Sequence, residues 1–354
     1  MTAHGQAARV SGVSIRYPAP LQPGDRIGVT APSTGVPGTL QRRVDFCVAH
    51  LSERGYDVVV GDCMDGASAT SAPAAERAAE LMDLLLDPAV RAVVPPWGGE
   101  LAVDLLPLLD FAAVAGAEPT WLVGYSDLTT LMLPLTLLTG VATLHGSNLM
   151  DTPYAAPEPL AHWLDAARLP TGGELRQDAA PAYLVDPWDD YVAHPDVSSW
   201  TLRGPGRWQV LGEPRTVLAS GRLLGGCLET VSMLTGSAYG DVPGFAAEQA
   251  PEGLLLYVEV AEADAFTAAR MLHGLRLAGW FDAANAVLVG RPAGPGSPHF
   301  SQVDALAHAV GDLGVPVLYD LDIGHVPPQL VVVNGAPATV ELTESTATLV
   351  QWLT

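Results

Sequence analysis

Apolar and polar residues follow a two-part rhythm along the first half of the chain. Short β-branched runs alternate with longer stretches in which apolar residues recur at helical spacing. The short runs are predicted strands, and they read RIGVTA, YDVVV, RAVVPP and TWLVG. The longer stretches are predicted helices, and they read QRRVDFCVAHLSER, AAERAAELMDLLL, LAVDLLPLLD and the apolar segment after Ser126. Such alternation predicts a mostly parallel sheet covered by helices.

The rhythm stops between about residues 151 and 214, where Pro, Asp, Gly and Trp are frequent. This segment is predicted to be a connector. It carries Trp188, Trp200 and Trp208, which are too many indole rings for a solvated linker. Part of the connector is therefore expected to pack on a domain or over a cleft.

The alternation resumes after Gly221 and predicts a second α/β unit. Its predicted elements lie in GRLLGGCLETVSMLTGS, GLLLYVEV, AFTAARMLHGLRLAG, AVLVG, a further helix and VPVLYD. Near the end, Asn334 and Gly335 stand between β-rich segments, and this residue pair favours a tight hairpin turn. The second unit is expected to end in antiparallel strands.

The length of 354 residues is too great for one ordinary hydrophobic core. We predict an α/β protein of two domains. An N-terminal domain over 14–160 holds a mostly parallel sheet flanked by helices, and a Trp- and Pro-rich connector covers 161–215. A mixed α/β domain over 216–354 ends in antiparallel strands.

Composition narrows the classes of partner. Apolar residues make up 49% of the chain and charged residues 16%, which suits a compact folded protein. The formal charge of −22 repels phosphate backbones and anionic lipid, so neither nucleic acid nor a membrane is an expected partner. Three cysteines without close paired spacing indicate neither a disulfide framework nor a zinc knuckle. The N-terminal stretch has no continuous apolar core of a signal peptide, so a cytoplasmic location is expected.

One predicted strand-to-helix turn, WLVG-YSD-LTTLMLPL, has the form that presents a nucleophilic serine, with Ser126 at its corner. The alternative is that Ser126 or Asp127 only caps the helix, and the pattern by itself favours the cap. Leu128 also stands where a nucleophile elbow of the G-x-S-x-G type has its second glycine.

Three further segments carry candidate chemistry. Gly98 and Gly99 follow a predicted strand and either bring backbone amides close to a ligand or simply make a turn. His325 follows a strand and precedes two prolines, as a catalytic base or as a loop histidine packed on proline. Glu259 ends a buried strand and either orients His325 or forms a salt bridge. His145, beside a Gly-Ser turn, is expected to form cleft wall rather than to catalyse.

Seven motifs in a fixed order resemble the LD-carboxypeptidase (muramoyl-tetrapeptide carboxypeptidase) family over most of the chain. They are GDRIGVTAPS, WGGE, GYSDLT, HGSN, GRLLGG, the strand ending in Glu259, and DIGHVPPQ. The resemblance implies a Ser-Glu-His triad of Ser126, Glu259 and His325, with the serine in the N-terminal domain and its partners in the C-terminal domain.

The resemblance also implies a role for each residue. Ser126 attacks an amide carbonyl, His325 moves the proton, and Glu259 holds the imidazole tautomer. The backbone N–H groups of Asp127 and Gly99 form the oxyanion hole, each donor lowering the barrier by about 3 to 4 kcal/mol. The resemblance implies no metal or organic cofactor. It implies a homodimer, because members of the family commonly form one.

Within the family the Trp-rich connector and the GGCLET segment look closer to the microcin-immunity branch, which hydrolyses a peptidyl-nucleotide. Trp188 is the expected base-stacking residue, and Gly98 is a second expected substrate-binding residue. Two positions depart from the pattern: Cys227 stands where asparagine is more usual, and Ala263 where a lysine can follow the glutamate. These departures affect how a substrate carboxylate or phosphate is held.

The expected function is hydrolysis of an amide bond at the C-terminal end of a small peptide conjugate such as a peptidyl-nucleotide. An alternative with the same chemistry releases the terminal D-alanine of a murein tetrapeptide, or muropeptide, in cell-wall recycling. An alternative of another class is a non-catalytic protein that binds peptides or nucleotides.

Overall fold

The computed structural model describes residues 14–213 and 215–354. Residues 1–13, on which the expectation about a leader rests, and Pro214 lie outside the described residues. The strands are β1 (Arg26–Val29), β2 (Asp57–Val60), β3 (Val90–Val93), β4 (Trp121–Gly124), β5 (Thr143–His145), β6 (Glu174–Asp178), β7 (Ala182–Tyr183), β8 (Gly204–Pro205), β9 (Gln209–Val210), β10 (Val217–Cys227), β11 (Leu254–Glu259), β12 (Ala284–Gly290), β13 (Val317–Leu321), β14 (Val332–Asn334), β15 (Pro337–Leu342) and β16 (Ala347–Trp352).

The α-helices are α1 (Gln41–Ser52), α2 (Ala74–Leu86), α3 (Phe111–Gly116), α4 (Thr129–Thr139), α5 (Trp163–Ala167), α6 (Leu228–Val231), α7 (Val242–Gln249), α8 (Ala265–Leu277) and α9 (Gln302–Val310). Short 3-10 helices cover Gly38–Leu40, Ala102–Leu108, Ser126–Leu128, Leu149–Asp151, Ser232–Leu234 and Ala238–Gly240. No helix in the described part of the chain combines the length and apolar character that a membrane span requires.

A six-stranded sheet has the order β14-β5-β4-β3-β1-β2, and five of its strands come from the N-terminal half of the chain. The five strands β5 to β2 in that order run parallel, and β14 pairs antiparallel with β5 at the edge. Every residue of β4 is buried. A continuous apolar strand of this kind is what a parallel sheet covered on both faces requires.

An eight-stranded sheet occupies the C-terminal half, in the order β6-β16-β15-β10-β11-β12-β13-β9. Its centre, from β10 to β13, is parallel, and the strands on either side are antiparallel. The predicted α/β fold class, with a mostly parallel first sheet and antiparallel strands at the end, is confirmed. Strands β6 and β9 come from the predicted connector and form the two edges of this sheet.

Two local expectations are wrong. Asn334 and Gly335 do not join a hairpin, because β14 pairs with β5 in the first sheet whereas β15 pairs with β10 in the second. Local turn propensity cannot reveal that the strands on either side belong to different sheets. The segment from Ala102 to Leu108 is a 3-10 helix rather than the predicted α-helix. It contains Pro107, which has no N–H for an α-helical hydrogen bond.

Helix α4 lies in the core that the two halves share. All of its residues are buried, and it has no polar face. Its first residue, Thr129, shares a hydrogen bond of 2.7 Å with the hydroxyl of Thr230 and accepts the N–H of Cys227 at 3.0 Å. A helix that is apolar all round must be covered on every side. It therefore ties the Ser126 turn to the end of β10.

Candidate active site

Ser126 occupies a sharp turn between β4 and α4. Its φ is +66°, which is a left-handed backbone conformation that residues other than glycine seldom adopt. The strand ends at Gly124, whose φ is +151° and whose α-carbon lies against Leu128 and the side-chain oxygen of Asn148. A side chain at position 124 would collide with both. The turn thus stores strain at one serine and requires glycine at the end of the strand.

The carboxylate of Asp127 anchors this turn to two neighbouring loops. It accepts the hydroxyl of Ser33 at 2.6 Å, the N–H of Ala102 at 2.8 Å and the hydroxyl of Thr130 at 3.0 Å. Asp127 is buried, and these bonds occupy both of its oxygens. Its side chain therefore serves the loops and leaves its own N–H as the group it can offer to a ligand.

The hydroxyl of Ser126 lies at the start of a three-residue chain of hydrogen bonds. Its Oγ is 3.0 Å from Nε2 of His325, and Nδ1 of His325 is 2.8 Å from Oε2 of Glu259. Glu259 is fully buried at the end of β11, and His325 lies in the loop after β13. The structure thus brings together the three residues of the predicted triad from three separate elements, and the serine side chain engages a histidine instead of capping α4.

The loop that carries His325 fits closely around the carboxylate. Gly324 has a φ of +93°, and a β-carbon there would collide with the side chain of Glu259. Beyond His325, the bond between Pro327 and Pro328 is cis. The ring of Tyr125 packs edge-on against that of His325, with 5.0 Å between centroids. The imidazole is therefore held by packing against Tyr125 as well as by hydrogen bonds.

The charges of His325 and Glu259 stabilise each other. Burial by itself would lower the pKa of His325, but the negative charge and hydrogen bond of Glu259 raise it above its ordinary value. Burial would likewise raise the pKa of Glu259, whereas the imidazolium charge and hydrogen bond of His325 lower it. The pair consequently favours a charged carboxylate and a strongly basic imidazole.

Gly98 and Gly99 run directly beside the serine. A β-carbon on Gly98 would stand 2.7 Å from Cβ and 2.8 Å from Oγ of Ser126, and 2.9 Å from the backbone nitrogen of Asp127. Gly99 has a φ of +141° and lies against Ser33 and Thr34. Both positions need glycine, because the backbone passes too close to its neighbours for any side chain.

The sequence does not predict the buried carboxylate that contacts Tyr125, which belongs to Asp151. Asp151 is buried and accepts the hydroxyls of Tyr125, at 3.2 Å, and of Tyr191, at 2.9 Å. Burial raises the pKa of Asp151 to about 6, although both hydroxyls and the nearby Arg43 act in the opposite direction. No local motif surrounds Asp151 or Tyr191, so only their contact in space reveals the network.

His145 does not form the wall of a cleft, contrary to the expectation from its sequence context. Its side chain is completely buried on β5, between the rings of Tyr125 and Tyr257. Within the described residues neither of its ring nitrogens has a hydrogen-bond partner. Burial lowers the pKa of His145 to about 4, which keeps the ring neutral. The Gly-Ser turn beside His145 predicted a position in a cleft wall, but β5 carries this residue into the centre of the molecule.

A cleft of about 700 Å³ opens beside His325. Trp188, Tyr183, Arg207 and Arg291 contribute to its walls. Trp188 is 37% exposed and meets the ring of Trp200 edge-on, at a centroid distance of 5.2 Å. Part of the connector therefore does cover a cleft, as expected from its tryptophans.

The other two connector tryptophans have structural surroundings. Trp200 stacks on Tyr154 at 3.6 Å between centroids, and Trp208 is buried with its N–H bonded to Asp322 at 2.9 Å. Of the three connector tryptophans, the family resemblance singles out Trp188 as the one expected to stack on a base. Burial separates Trp188, which faces the cleft, from Trp208, which does not.

The two positions that depart from the expected pattern adjoin an acidic group. The thiol of Cys227 donates to Oε2 of Glu229 at 3.3 Å. The other oxygen of Glu229 accepts three consecutive backbone N–H groups, those of Ala261, Glu262 and Ala263, at 2.9 to 3.0 Å. This side of the site is therefore negative. Cys227, Glu259 and His325 are also the described residues whose side chains cluster as metal donors.

Comparison with known proteins agrees with the order of motifs. Residues 27–146 match the LD-carboxypeptidase N-terminal domain, and residues 220–340 match the LD-carboxypeptidase C-terminal domain. A Streptomyces coelicolor protein with the provisional name carboxypeptidase SCO6489 is 33% identical, over 94% of this chain and 95% of its own. The microcin C7 self-immunity protein MccF of Escherichia coli is 25% identical, over 92% of this chain and 94% of its own.

Solved structures show the same fold. MccF in complex with glutamyl sulfamoyl guanosine superposes with a TM-score of 0.76 at 20% identity, covering 95% of this chain and 98% of that one. The muramoyltetrapeptide carboxypeptidase of Oxalobacter formigenes superposes with a TM-score of 0.67 at 20% identity, covering 92% and 98%. The two domain patterns together match 241 of the 354 residues. This chain therefore belongs to the LD-carboxypeptidase family.

Proposed function

We propose that this protein is a serine hydrolase that cleaves an amide bond at the C-terminal end of a small peptide conjugate. The observation that carries the proposal is the hydrogen-bonded chain from Ser126 through His325 to Glu259, with distances of 3.0 Å and 2.8 Å. The base is thus within hydrogen-bond distance of both the nucleophile and the orienting acid.

The reaction begins when Ser126 Oγ attacks the amide carbonyl and His325 Nε2 accepts its proton. Glu259 fixes the tautomer by accepting the Nδ1 proton, and it offsets the charge of the imidazolium. His325 then returns the proton to the leaving amine. Water hydrolyses the acyl-enzyme by the same steps, with His325 again as base.

We propose that two backbone amides, those of Asp127 and Gly99, receive the developing oxyanion. The N–H of Asp127 follows the nucleophile, as in other strand-to-helix serine turns. The carbonyl of Gly98 accepts the N–H of Thr34 at 3.4 Å. Because N–H and C=O point in opposite directions across a trans peptide, the N–H of Gly99 is directed away from Thr34. This supports Gly99 and Asp127 as the pair of donors.

The cleft beside His325 favours a substrate with an aromatic and an anionic part. Trp188 offers an exposed indole face for stacking. Arg207, also in the cleft wall, forms no ion pair within residues 14–213 and 215–354. A peptidyl-nucleotide would supply both parts, and the related MccF has been crystallised with glutamyl sulfamoyl guanosine. The first candidate substrate is therefore a peptidyl-nucleotide.

The acidic side of the site favours the second candidate, a murein tetrapeptide that loses its terminal D-alanine. Glu229 lies there, and Ala263 replaces the lysine that could pair with a substrate carboxylate. A peptide that brings an ammonium group to this side gains from the negative charge, whereas an acidic aminoacyl group does not. The two walls thus point to different substrates for the same chemistry.

The deciding experiment presents the purified protein with both substrates and follows the products by mass spectrometry. The proposal expects hydrolysis of one of them, loss of turnover in Ser126→Ala, and binding of the same substrate retained by that variant. Cleavage of the murein peptide alone would select the second candidate. Binding of either compound without hydrolysis would show a non-catalytic binding protein, and unchanged hydrolysis by Ser126→Ala would refute the nucleophile.

Two further expectations depend on the family resemblance and on composition. The homodimer is tested by light scattering of the purified chain, where a monomer mass would refute it. The cytoplasmic location is tested by fractionation of cells that produce the protein. Neither expectation enters the chemistry proposed for Ser126.

A further inference from the structure

Cys227 faces the candidate triad from the neighbouring strand. It is the last residue of β10, and it pairs in parallel register with Glu259, the last residue of β11. Side chains at paired positions of adjacent strands point to the same face, with strands about 4.8 Å apart. Accordingly, Cys227, Glu259 and His325 each offer a ligand atom within 4.8 Å of the other two.

The group is buried and not fully satisfied by hydrogen bonds. Cys227 is 1% exposed and Glu259 is 0% exposed. Among the described residues, Oε1 of Glu259 has no hydrogen-bond partner. Oε2 of Glu229 lies 3.3 Å from the sulfur of Cys227. One sulfur, one imidazole and two carboxylates thus lie close together, with one carboxylate oxygen unpaired among the described residues.

We propose that Cys227, Glu259 and His325 form an inhibitory binding site for a thiophilic divalent cation such as Zn²⁺. Cysteine sulfur, histidine nitrogen and carboxylate oxygen are the three ligand types that zinc takes in proteins. Glu229 or a water molecule completes the four ligands that a tetrahedral site needs.

The spacing requires only small movements. Zinc–ligand bonds of about 2.0 to 2.3 Å in a tetrahedron place neighbouring ligand atoms roughly 3.3 to 3.8 Å apart. The three donor atoms lie within 4.8 Å of one another, and Nδ1 and Oε2 are 2.8 Å apart. Insertion of the ion needs the sulfur to approach by about 1.5 Å or less and the His325–Glu259 bond to open by about 1 Å or less.

Metal binding would disable the base without touching Ser126. Zn²⁺ takes the lone pair of Nδ1 of His325, so the proton that Nδ1 carried moves to Nε2. The thiol of Cys227 releases its proton to solvent, and the thiolate together with the Glu259 carboxylate balances the charge of the ion. Nε2 then carries a proton and cannot accept another from Ser126. No oxidant or reductant takes part.

This site depends on one of the two positions that depart from the expected family pattern. Cys227 stands where the family resemblance leads one to expect asparagine. An asparagine amide is a hard, neutral donor, whereas a thiolate is the soft ligand that zinc and cadmium prefer. Burial and the neighbouring carboxylates raise the pKa of the Cys227 thiol. A bound cation would offset both effects and make the thiolate available.

The experiment measures binding and inhibition separately. The whole protein is titrated with ZnCl₂ in a calorimeter and with CdCl₂ in an ultraviolet spectrometer, where thiolate-to-cadmium absorption reports a sulfur ligand. Reactivity of Ser126 is followed with a fluorophosphonate probe, with and without Zn²⁺ and then after a chelator. We expect one metal ion per chain, a thiolate–cadmium band, and probe labelling that is lost with Zn²⁺ and restored by the chelator.

The variants decide which residues hold the ion. Cys227→Ser should weaken binding by more than about tenfold, the loss seen even for outer partners of metal ligands, and abolish the cadmium band. Cys227→Asn serves as a second test should the serine variant fold poorly. Cys63→Ser removes another buried thiol and should behave as the unmodified protein. Each variant's labelling is compared with its own metal-free rate.

Equal zinc affinity in Cys227→Ser and the unmodified protein would overturn the inference, as would the absence of stoichiometric binding. The calorimetric result does not depend on turnover. A protein that binds zinc through Cys227 but hydrolyses nothing would refute the proposed function and leave the metal site standing, without its inhibitory role. Probe labelling that Zn²⁺ does not reduce would overturn the inhibitory role.

Discussion

The side-chain oxygen of Asn334 accepts the hydroxyl of Tyr257 at 3.0 Å, and this bond joins the two sheets beside the candidate active site. Asn334 ends β14 of the six-stranded sheet, and Tyr257 lies on β11, two residues before Glu259. The same oxygen accepts the N–H of Gly225, and the Asn334 amide nitrogen donates to Thr143. The buried amide of Asn334 therefore links β14 to β5, to β10 and to β11, the strand that ends in Glu259.

Asn334→Ala should lower the free energy of unfolding by about 2 kcal/mol or more, because it leaves several buried polar groups without a partner. Chemical denaturation followed by circular dichroism measures this loss. The control is Asn285→Ala, whose exposed amide bonds to the carbonyls of Ser220 and Glu252 at the surface. That change should cost under about 1 kcal/mol, because water replaces the lost bonds. A loss of equal size in both variants would show that Asn334 has no special part in joining the sheets.

The rate of hydrolysis should rise with pH through the pKa of His325, at a midpoint above about 6.5, the ordinary value for histidine. The reason is that the base must be neutral, and Glu259 raises its pKa. Glu259→Gln removes the negative charge and should lower that pKa. Titration of the His325 ring by NMR measures it directly, with His325→Gln identifying the signal. An unchanged pKa in Glu259→Gln would contradict the pairing.

The same pair should affect stability in a defined range of pH. The pKa of His325 is raised in the folded state, so its contribution is complete below the unfolded pKa and is lost as pH rises through the folded value. The pKa of Glu259 is lowered, so its contribution is present above about 4.3 and is lost as pH falls through the folded value. The melting temperature of the unmodified protein should therefore exceed that of Glu259→Gln most between about pH 4.3 and about pH 6.5, the unfolded pKa values of the two groups. A difference that grows above the folded pKa of His325 would have the wrong sign.

Gly98→Ala should reduce turnover by about a hundredfold or more while leaving the fold intact. Its β-carbon would stand 2.7 Å from Cβ of Ser126 and must displace the serine or the Gly98–Gly99 peptide. Misplacement of a reacting group by about 1 Å commonly costs that much. Gly274→Ala is the control, since it lies within α8 with open space around its α-carbon. That variant should keep full activity and gain up to about 1 kcal/mol of stability. Equal activity in both variants would exclude a tight contact at Gly98.

Trp188→Ala should raise KM for a peptidyl-nucleotide and leave kcat within about threefold, because the lost contact is the same in ground and transition states. Loss of base stacking corresponds to about 1 to 3 kcal/mol of binding. Trp188→Phe should retain much of the affinity, since a smaller ring still stacks. A murein peptide lacks a base, so its KM should change little in either variant. A fall in kcat without a change in KM would place Trp188 in the chemistry instead of in binding.

Local pattern was sufficient to predict most strands and helices, because burial of apolar residues at period 2 or 3.6 is a property of neighbouring positions. It failed where distant partners decide the outcome. Asn334 and Gly335 have the composition of a hairpin turn, yet their flanking strands pair with different sheets. His145 resembles a loop residue but lies at the buried end of β5.

The sequence by itself determined the α/β fold class and the motifs that mark the family, since both are encoded in short segments and their order. Only the tertiary structure decided what Ser126 does with its hydroxyl. Its partner His325 lies 199 residues away, beyond the reach of any local periodicity. The parallel register of β10 and β11 likewise decided that Cys227 stands beside Glu259. Contacts of this kind arise when separate elements bury their apolar faces together, and that packing brings polar groups from distant segments into one site.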